Sequence, residues 1–185
     1  MALRVKSHWH DEDGERSLQD VAGAIAFISW RIATDMAINL HGQRFVYDSD
    51  EQRMAVIREY LYFQIQIVDR MAHGVMDDAD RHTLIVQLAL KLAGHIQDNS
   101  MDLFEPGDYG KPFIDTLNQR SAEYAELNFT DEGPSYPFLR HLGHEVQTAM
   151  GEREENRWVI DQVMDKDGWD VYKKLSRALR DLLEQ

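Results

Sequence analysis

Apolar side chains recur along most of the chain at three- and four-residue intervals, the spacing that places them on one face of an α-helix. The first such segment, residues 17–40, is apolar on two sides. One side carries Leu18, Val21, Ala22, Ile25, Ile28, Ile32 and Met36. The other side carries Phe27, Trp30 and Ile38. Because both sides need cover, we expect this helix to be central or to meet a second subunit through Phe27, Trp30 and Ile38.

Two capping patterns and one acidic first turn indicate where the first three predicted helices begin. Ser17 begins a Ser-x-x-Asp pattern that resembles a capping box and predicts a helix over residues 17–40. Ser49 begins a Ser-x-x-Gln pattern and predicts a second helix over residues 49–73. An acidic first turn, favoured by the positive end of the helix dipole, predicts a third helix over residues 78–97.

Proline and glycine divide the rest of the chain. Pro112 suits the first turn of a fourth helix, and a fifth helix follows Pro137. Gly151 is expected to end or bend the fifth helix. A sixth helix is predicted to stop near Gly168, where Asp167 caps a last helix that runs to the C-terminal residues.

The pattern as a whole predicts an all-α fold. Residues 43–47 are the one short strand candidate, and that segment is equally consistent with an extended linker. Six or seven helices joined by short loops are typical of a single-domain helical bundle or array. We therefore divide the chain into a polar N-terminal arm, residues 1–16, and a helical domain, residues 17–185.

Composition narrows the classes of function. The chain has 185 residues, the size of one ordinary domain, and 33 acidic against 20 basic residues give a formal charge of −13. This charge repels phosphate backbones and anionic lipid surfaces, so we expect neither a nucleic-acid nor a membrane partner. Cysteine is absent, which excludes disulfides, thiolate nucleophiles and thiolate metal ligands from this sequence.

The first residues of the chain contain no apolar stretch typical of a secretion signal. The most apolar segment, residues 21–40, has an uncharged run of only ten residues before Arg31, whereas a membrane span needs about 20. We expect a cytoplasmic protein.

Catalytic signatures are missing from the sequence. The eight histidines form neither a Glu-x-x-His turn nor a His-Glu-x-x-His pair, and no phosphate-binding loop or Gly-x-Ser-x-Gly turn occurs. The first hypothesis is therefore a non-catalytic, cytoplasmic helical binding or interaction protein of unidentified partner. We predict that it forms a homodimer.

A metal-dependent function is the first alternative. His141 and His144 are three residues apart on a predicted helix, so they project from adjacent positions, and Glu145 flanks them. The helical wheel places all three largely away from the core. With a carboxylate from a neighbouring helix, they would hold a divalent metal as cofactor, in a binding protein or in a metal-assisted enzyme.

A carrier or sensor of a small apolar ligand is the second alternative. The chain has 18 aromatic residues, counting four Trp, seven Tyr and seven Phe. Tyr60, Phe63, Trp158 and Trp169 are the candidates to line a pocket between helices.

Overall fold

The computed structural model describes residues 17–183 and confirms the all-α prediction, since 80% of these residues are helical. The α-helices are α1 (Leu18–Gly42), α2 (Asp50–Ala72), α3 (Asp78–Leu103), α4 (Gly110–Ala125), α5 (Tyr136–Met150), α6 (Val159–Gln162) and α7 (Gly168–Leu183). A 3₁₀ turn, Glu154–Asn156, precedes α6. The predicted arm, residues 1–16, lies outside the described residues.

Side-chain caps start the three longest helices at the predicted places. Ser17 Oγ accepts a hydrogen bond from the Asp20 amide before α1, and Ser49 Oγ accepts one from the Gln52 amide before α2. Asp77 caps α3 in the same way. Each cap satisfies one of the backbone N–H groups that the first turn leaves without a partner.

The central helix is α2. All eight residues of Leu61–Val68 are buried, because α2 packs against α1, α3, α4, α5 and α7. Two of these eight are glutamines, and Gln64 donates to the carbonyl of Ser29 while Gln66 donates to the hydroxyl of Ser121. The helix therefore meets its neighbours on every side at its middle.

The predicted break at Gly168 is wrong. A π-helical segment, Val163–Asp167, joins α6 to α7, and Gly168 has helical dihedral angles, φ −60° and ψ −40°. A Cβ atom at this glycine would lie 2.6 Å from Leu139 Cδ2. Gly168 is thus required by the close approach of α5, and Asp167 is a buried residue inside the helix and no cap.

Residues 43–47, which the sequence left open between a short strand and an extended linker, form a loop. The described chain instead has one small antiparallel hairpin, in which Phe129–Thr130 (β1) pairs with Gly133–Pro134 (β2). Gly133 has a φ of +119°, which favours glycine, and a Cβ there would meet the Tyr172 ring at 2.6 Å.

By length and composition, α1 is apolar enough to cross a membrane, with a mean hydropathy of 1.4 over its best window. Half of that window is buried inside the fold. A core helix of a soluble protein can be equally long and apolar, so the length and composition of α1 do not decide between the two. That the protein has no membrane partner stays a prediction.

Candidate functional site

Five polar side chains from three helices meet between α2, α4 and α5. They are Glu59 of α2, Arg120 and Glu123 of α4, and His141 and Glu145 of α5, and we call them the Arg120 cluster. It brings three carboxylates around a single guanidinium group.

Arg120 is the centre of the cluster. Its Nε lies 2.9 Å from Glu59 Oε2 and its Nη2 3.0 Å from Glu59 Oε1, the two-point geometry that makes such pairs strong. Nη1 also donates to Glu123 at 3.1 Å, and Nη2 donates to Glu145. The side chains of Arg120 and Glu59 are each only 11% exposed, so this pair is largely removed from water.

Burial and charge oppose each other in this cluster. Burial alone lowers the pKa of Arg120, but the hydrogen bond and charge of Glu59, with those of the other carboxylates, raise it above its ordinary value. Burial raises the pKa of Glu59, although Arg120 opposes this shift. The guanidinium is therefore charged at every ordinary pH, and it is the one cation that offsets the three carboxylates.

His141 lies at the edge of the cluster. Its Nε2 is 3.0 Å from Glu123 Oε2, but the direction is not that of a hydrogen bond. This buried nitrogen consequently lacks a hydrogen-bond partner within the described residues. The imidazole packs edge-on against Tyr124, with ring centroids 4.6 Å apart.

The three predicted metal ligands lie in different environments. His141 and Glu145 join the Arg120 cluster, whereas His144 is exposed to solvent. The third residue of the potential ligand group is Glu123, and one ligand atom from each of Glu123, His141 and Glu145 lies within 4.8 Å of the others. Sequence spacing did not indicate Glu123, because it comes from a different helix.

The position of Arg120 argues against a metal at this site. Nitrogen and oxygen ligands of zinc lie about 2.0–2.2 Å from the ion and give up their other strong partners on that side. Here Arg120 hydrogen-bonds both Glu123 and Glu145 and supplies the positive charge that a cation would bring. The geometry therefore fits an ion-pair junction between three helices better than a metal centre.

A second buried carboxylate, Asp167, lies in the π-helical segment. Gln162 donates to it at 2.9 Å, and the hydroxyl of Tyr60 lies 3.5 Å from its other oxygen. Burial raises the pKa of Asp167, and the hydrogen bonds from Gln162 and Tyr60 only partly offset that effect. The folded protein thus holds a proton on Asp167 more tightly than the unfolded chain does.

We expect Asp167→Asn to raise the unfolding temperature at pH 7. A carboxyl whose pKa is raised by folding destabilises the folded state as the pH rises from its unfolded pKa, about 3.9, through its folded pKa. At pH 3 both states are protonated, so the variant should then match the wild type. Thermal unfolding at both pH values, with exposed Asp165→Asn as the control, tests this. Equal destabilisation at both pH values would contradict it.

The predicted interface residues of α1 are only partly free. Ile38 is 65% exposed and Phe27 is also exposed, but Trp30 is half-buried against the His95 ring of α3 at a centroid distance of 5.7 Å. Packing of α3 beside α1 thus covers part of the second apolar side of α1 within one chain. Phe27 and Ile38 remain outward, and Ile38 lines a groove between the end of α1 and the start of α2.

The outward side of α3 is apolar as well. Val86, Leu90 and Met101 are exposed, Leu90 by 56%, and they lie on one face of the helix together with Gly94. We call these four residues the α3 stripe. An exposed run of large apolar side chains on one helix face is typical of a protein contact.

The four aromatic residues predicted to line a ligand pocket are dispersed. Tyr60 and Phe63 are fully buried in the core, whereas Trp158 is exposed, with Arg157 over its ring. A groove of about 580 Å³ lies elsewhere, between the end of α1 and the start of α2, and its lining includes Ile38 and Tyr47.

Comparison with known proteins finds no matching family model, no similar curated protein and no similar solved structure. The function has to be argued from the chain itself.

Proposed function

We propose that this chain is a non-catalytic helical binding protein that forms a homodimer through the outward side of α1 and α3. The observation that carries the proposal is the α3 stripe, an exposed apolar face of a 26-residue helix. Removing such side chains from water is favourable by about 25 cal/mol per Å² of apolar surface.

We propose that the outward residues of α1 join the same contact. Phe27 and Ile38 are exposed on the helix that packs beside α3, and both were predicted from the sequence as interface residues. Arg31 lies over the Phe27 ring, 5.9 Å from its centroid, so this end of the surface mixes apolar and charged groups. Such a mixture is usual at the rim of a protein interface.

The cytoplasmic location, and the absence of nucleic-acid and membrane partners, belong to this proposal. They are supported by the charge of −13. The metal-dependent alternative at His141 has less support, because Arg120 already hydrogen-bonds the neighbouring carboxylates of Glu123 and Glu145.

Sedimentation of the wild type and of Leu90→Glu tests the proposed function. We expect the wild type to sediment at twice the 21.5 kDa of one chain at about 100 µM. Leu90→Glu places a charge in the contact and should give a monomer with an unchanged circular dichroism spectrum, because Leu90 is exposed. Its unfolding temperature should fall only by the part that association contributes. Tyr136→Glu is the matched control, since Tyr136 is also exposed but lies on α5. A monomeric wild type, or a Leu90→Glu dimer, would contradict the proposal.

A further inference from the structure

We infer that a second copy of this chain covers the α3 stripe with its own α3 in antiparallel orientation, with Gly94 at the crossing and Lys91 of each copy facing Asp98 of the other. This inference rests on the proposed function and specifies its interface.

No contact within residues 17–183 explains why position 94 is a glycine. It lies in the middle of α3, is exposed, and a Cβ atom there would meet nothing within 4 Å. It is also not among the described glycines with positive φ. Glycine in a helix interior is unfavourable relative to alanine, so a reason for it has to come from outside the chain. Close approach of another backbone is such a reason, and a helix crossing at Gly94 supplies it.

The charges beside the stripe are self-complementary only in one orientation. Lys91 and Asp98 are seven residues apart, two helical turns, so they lie on the same side of the stripe, with Gly94 between them. In a two-fold antiparallel pair, residues at equal distances before and after the crossing face each other. Lys91 is three residues before Gly94 and Asp98 is four residues after it, so a crossing centred just after Gly94 brings Lys91 to Asp98 of the other copy. The symmetry creates this pair twice. In a parallel two-fold pair, the Lys91 and Asp98 side chains of one copy would lie on the opposite side of the contact from those of the other copy, so the two residues would not pair.

Asp98 is exposed, whereas the half-buried Lys91 lies beside Gly23 of α1 and has to extend from there to reach the contact. Neither Lys91 nor Asp98 forms a salt bridge within residues 17–183. Leu90, one turn before Gly94, then lies one turn beyond Gly94 of the other copy, beside the loop that Gln97 and Met101 bind through Gly107, Tyr109 and Gly110. Leu90 of each copy thus packs beside Gly94 of the other copy, which has no side chain. Because each copy carries −13, complementary pairs at the contact also oppose the repulsion between the two molecules.

Charge reversal tests the orientation. We expect Lys91→Glu and Asp98→Lys each to weaken the homodimer about tenfold or more, because each converts two attractions into two repulsions. The double variant restores both pairs and should dimerise like the wild type. A mixture of the two single variants should form a heterodimer, since every pair in it is then between opposite charges. Sedimentation and native mass spectrometry measure both results.

A single cysteine gives a second, independent readout. The chain has no cysteine, so Gly94→Cys carries one thiol, and space for its side chain is open. At the crossing, two such thiols come within disulfide distance, and mild oxidation should link two copies. Thr83→Cys is the control, because the same arrangement separates its two copies by about 35 Å along the helices. Equal linkage of both variants would overturn the inference.

The outcomes separate the two proposals. If Leu90→Glu dissociates the dimer while charge reversal and mixing have no effect, the surface is right and the antiparallel arrangement is wrong. If Leu90→Glu leaves the dimer intact, the proposed function fails as well. If one single variant unfolded at a clearly lower temperature than the other, it would have a folding defect. Heterodimer formation in the mixture of Lys91→Glu and Asp98→Lys would then still test the pairing.

Discussion

Arg120→Met is expected to lower the free energy of unfolding by about 3–5 kcal/mol, the usual effect of removing one partner from a buried ion pair. The methionine side chain matches the length of the arginine stem, so most of the packing is kept. What is lost is the guanidinium that hydrogen-bonds Glu59, Glu123 and Glu145. The carboxylate of Glu59, which is 11% exposed, would remain buried without its cation.

Urea unfolding at pH 7, followed by circular dichroism, measures this loss. Lys111→Met is the matched control on the same helix, because Lys111 pairs with Asp115 in an exposed position, where solvent screens the pair and its loss should change the stability little. Adding Glu59→Gln to Arg120→Met should recover part of the stability, since it removes one stranded charge. If Arg120→Met and Lys111→Met lowered the free energy of unfolding equally, the Arg120 cluster would not hold the three helices together.

Phe138→Ala is expected to have an effect of similar size, about 3–5 kcal/mol, because it empties a fully buried site in the core. The Phe138 ring lies 4.6 Å from the ring of Tyr124, 5.7 Å from Phe63 and 5.5 Å from Phe129. These contacts join α5 to α2, α4 and the hairpin. Aromatic pairs of this kind add to the effect of area burial alone.

The control for this variant is Tyr136→Ala, two residues earlier on α5. Tyr136 is exposed, so its removal should change the free energy of unfolding by less than about 0.5 kcal/mol. The same urea titration compares the two. A small effect of Phe138→Ala would mean that the aromatic contacts around it are not the core that the structure describes.

Local sequence signals predicted the helices well where capping chemistry decides the outcome. Ser17, Ser49 and Asp77 each accept a hydrogen bond from the first turn of a helix. The capping-box patterns indicated Ser17 and Ser49, whereas the third helix was predicted from its acidic first turn. Such bonds form between residues three apart, so the necessary information is contained in a short stretch of sequence.

Tertiary packing decided the places where the prediction failed. Gly168 resembles a helix terminus in the sequence, but the proximity of Leu139 on α5 gives it a different role. The third helix was expected to end at residue 97 and continues to Leu103, with Ser100 of its last turn buried in the fold. Neither contact is visible from local spacing.

The same limit applies to the candidate site. His141 and His144 both fall away from the apolar stripe of α5, and the sequence alone does not distinguish them. The packing of α4 does, because Tyr124 covers His141 and leaves His144 in solvent. Arg120 and Glu59 carry no local signal of pairing, since they are 61 residues apart and meet only after the helices have packed.

The attachment of α4 has a consequence for how the molecule opens. Only Phe113, Leu117 and Tyr124 of its 16 residues are buried, so apolar contacts hold this helix less firmly than they hold α2. The bonds from Arg120 therefore make up a large share of its attachment. Sub-global opening, in which one segment detaches while the rest stays folded, begins where apolar burial is smallest. By this measure α4 is the first of the long helices to detach from the fold. Its detachment breaks the ion pairs of the Arg120 cluster at the same time.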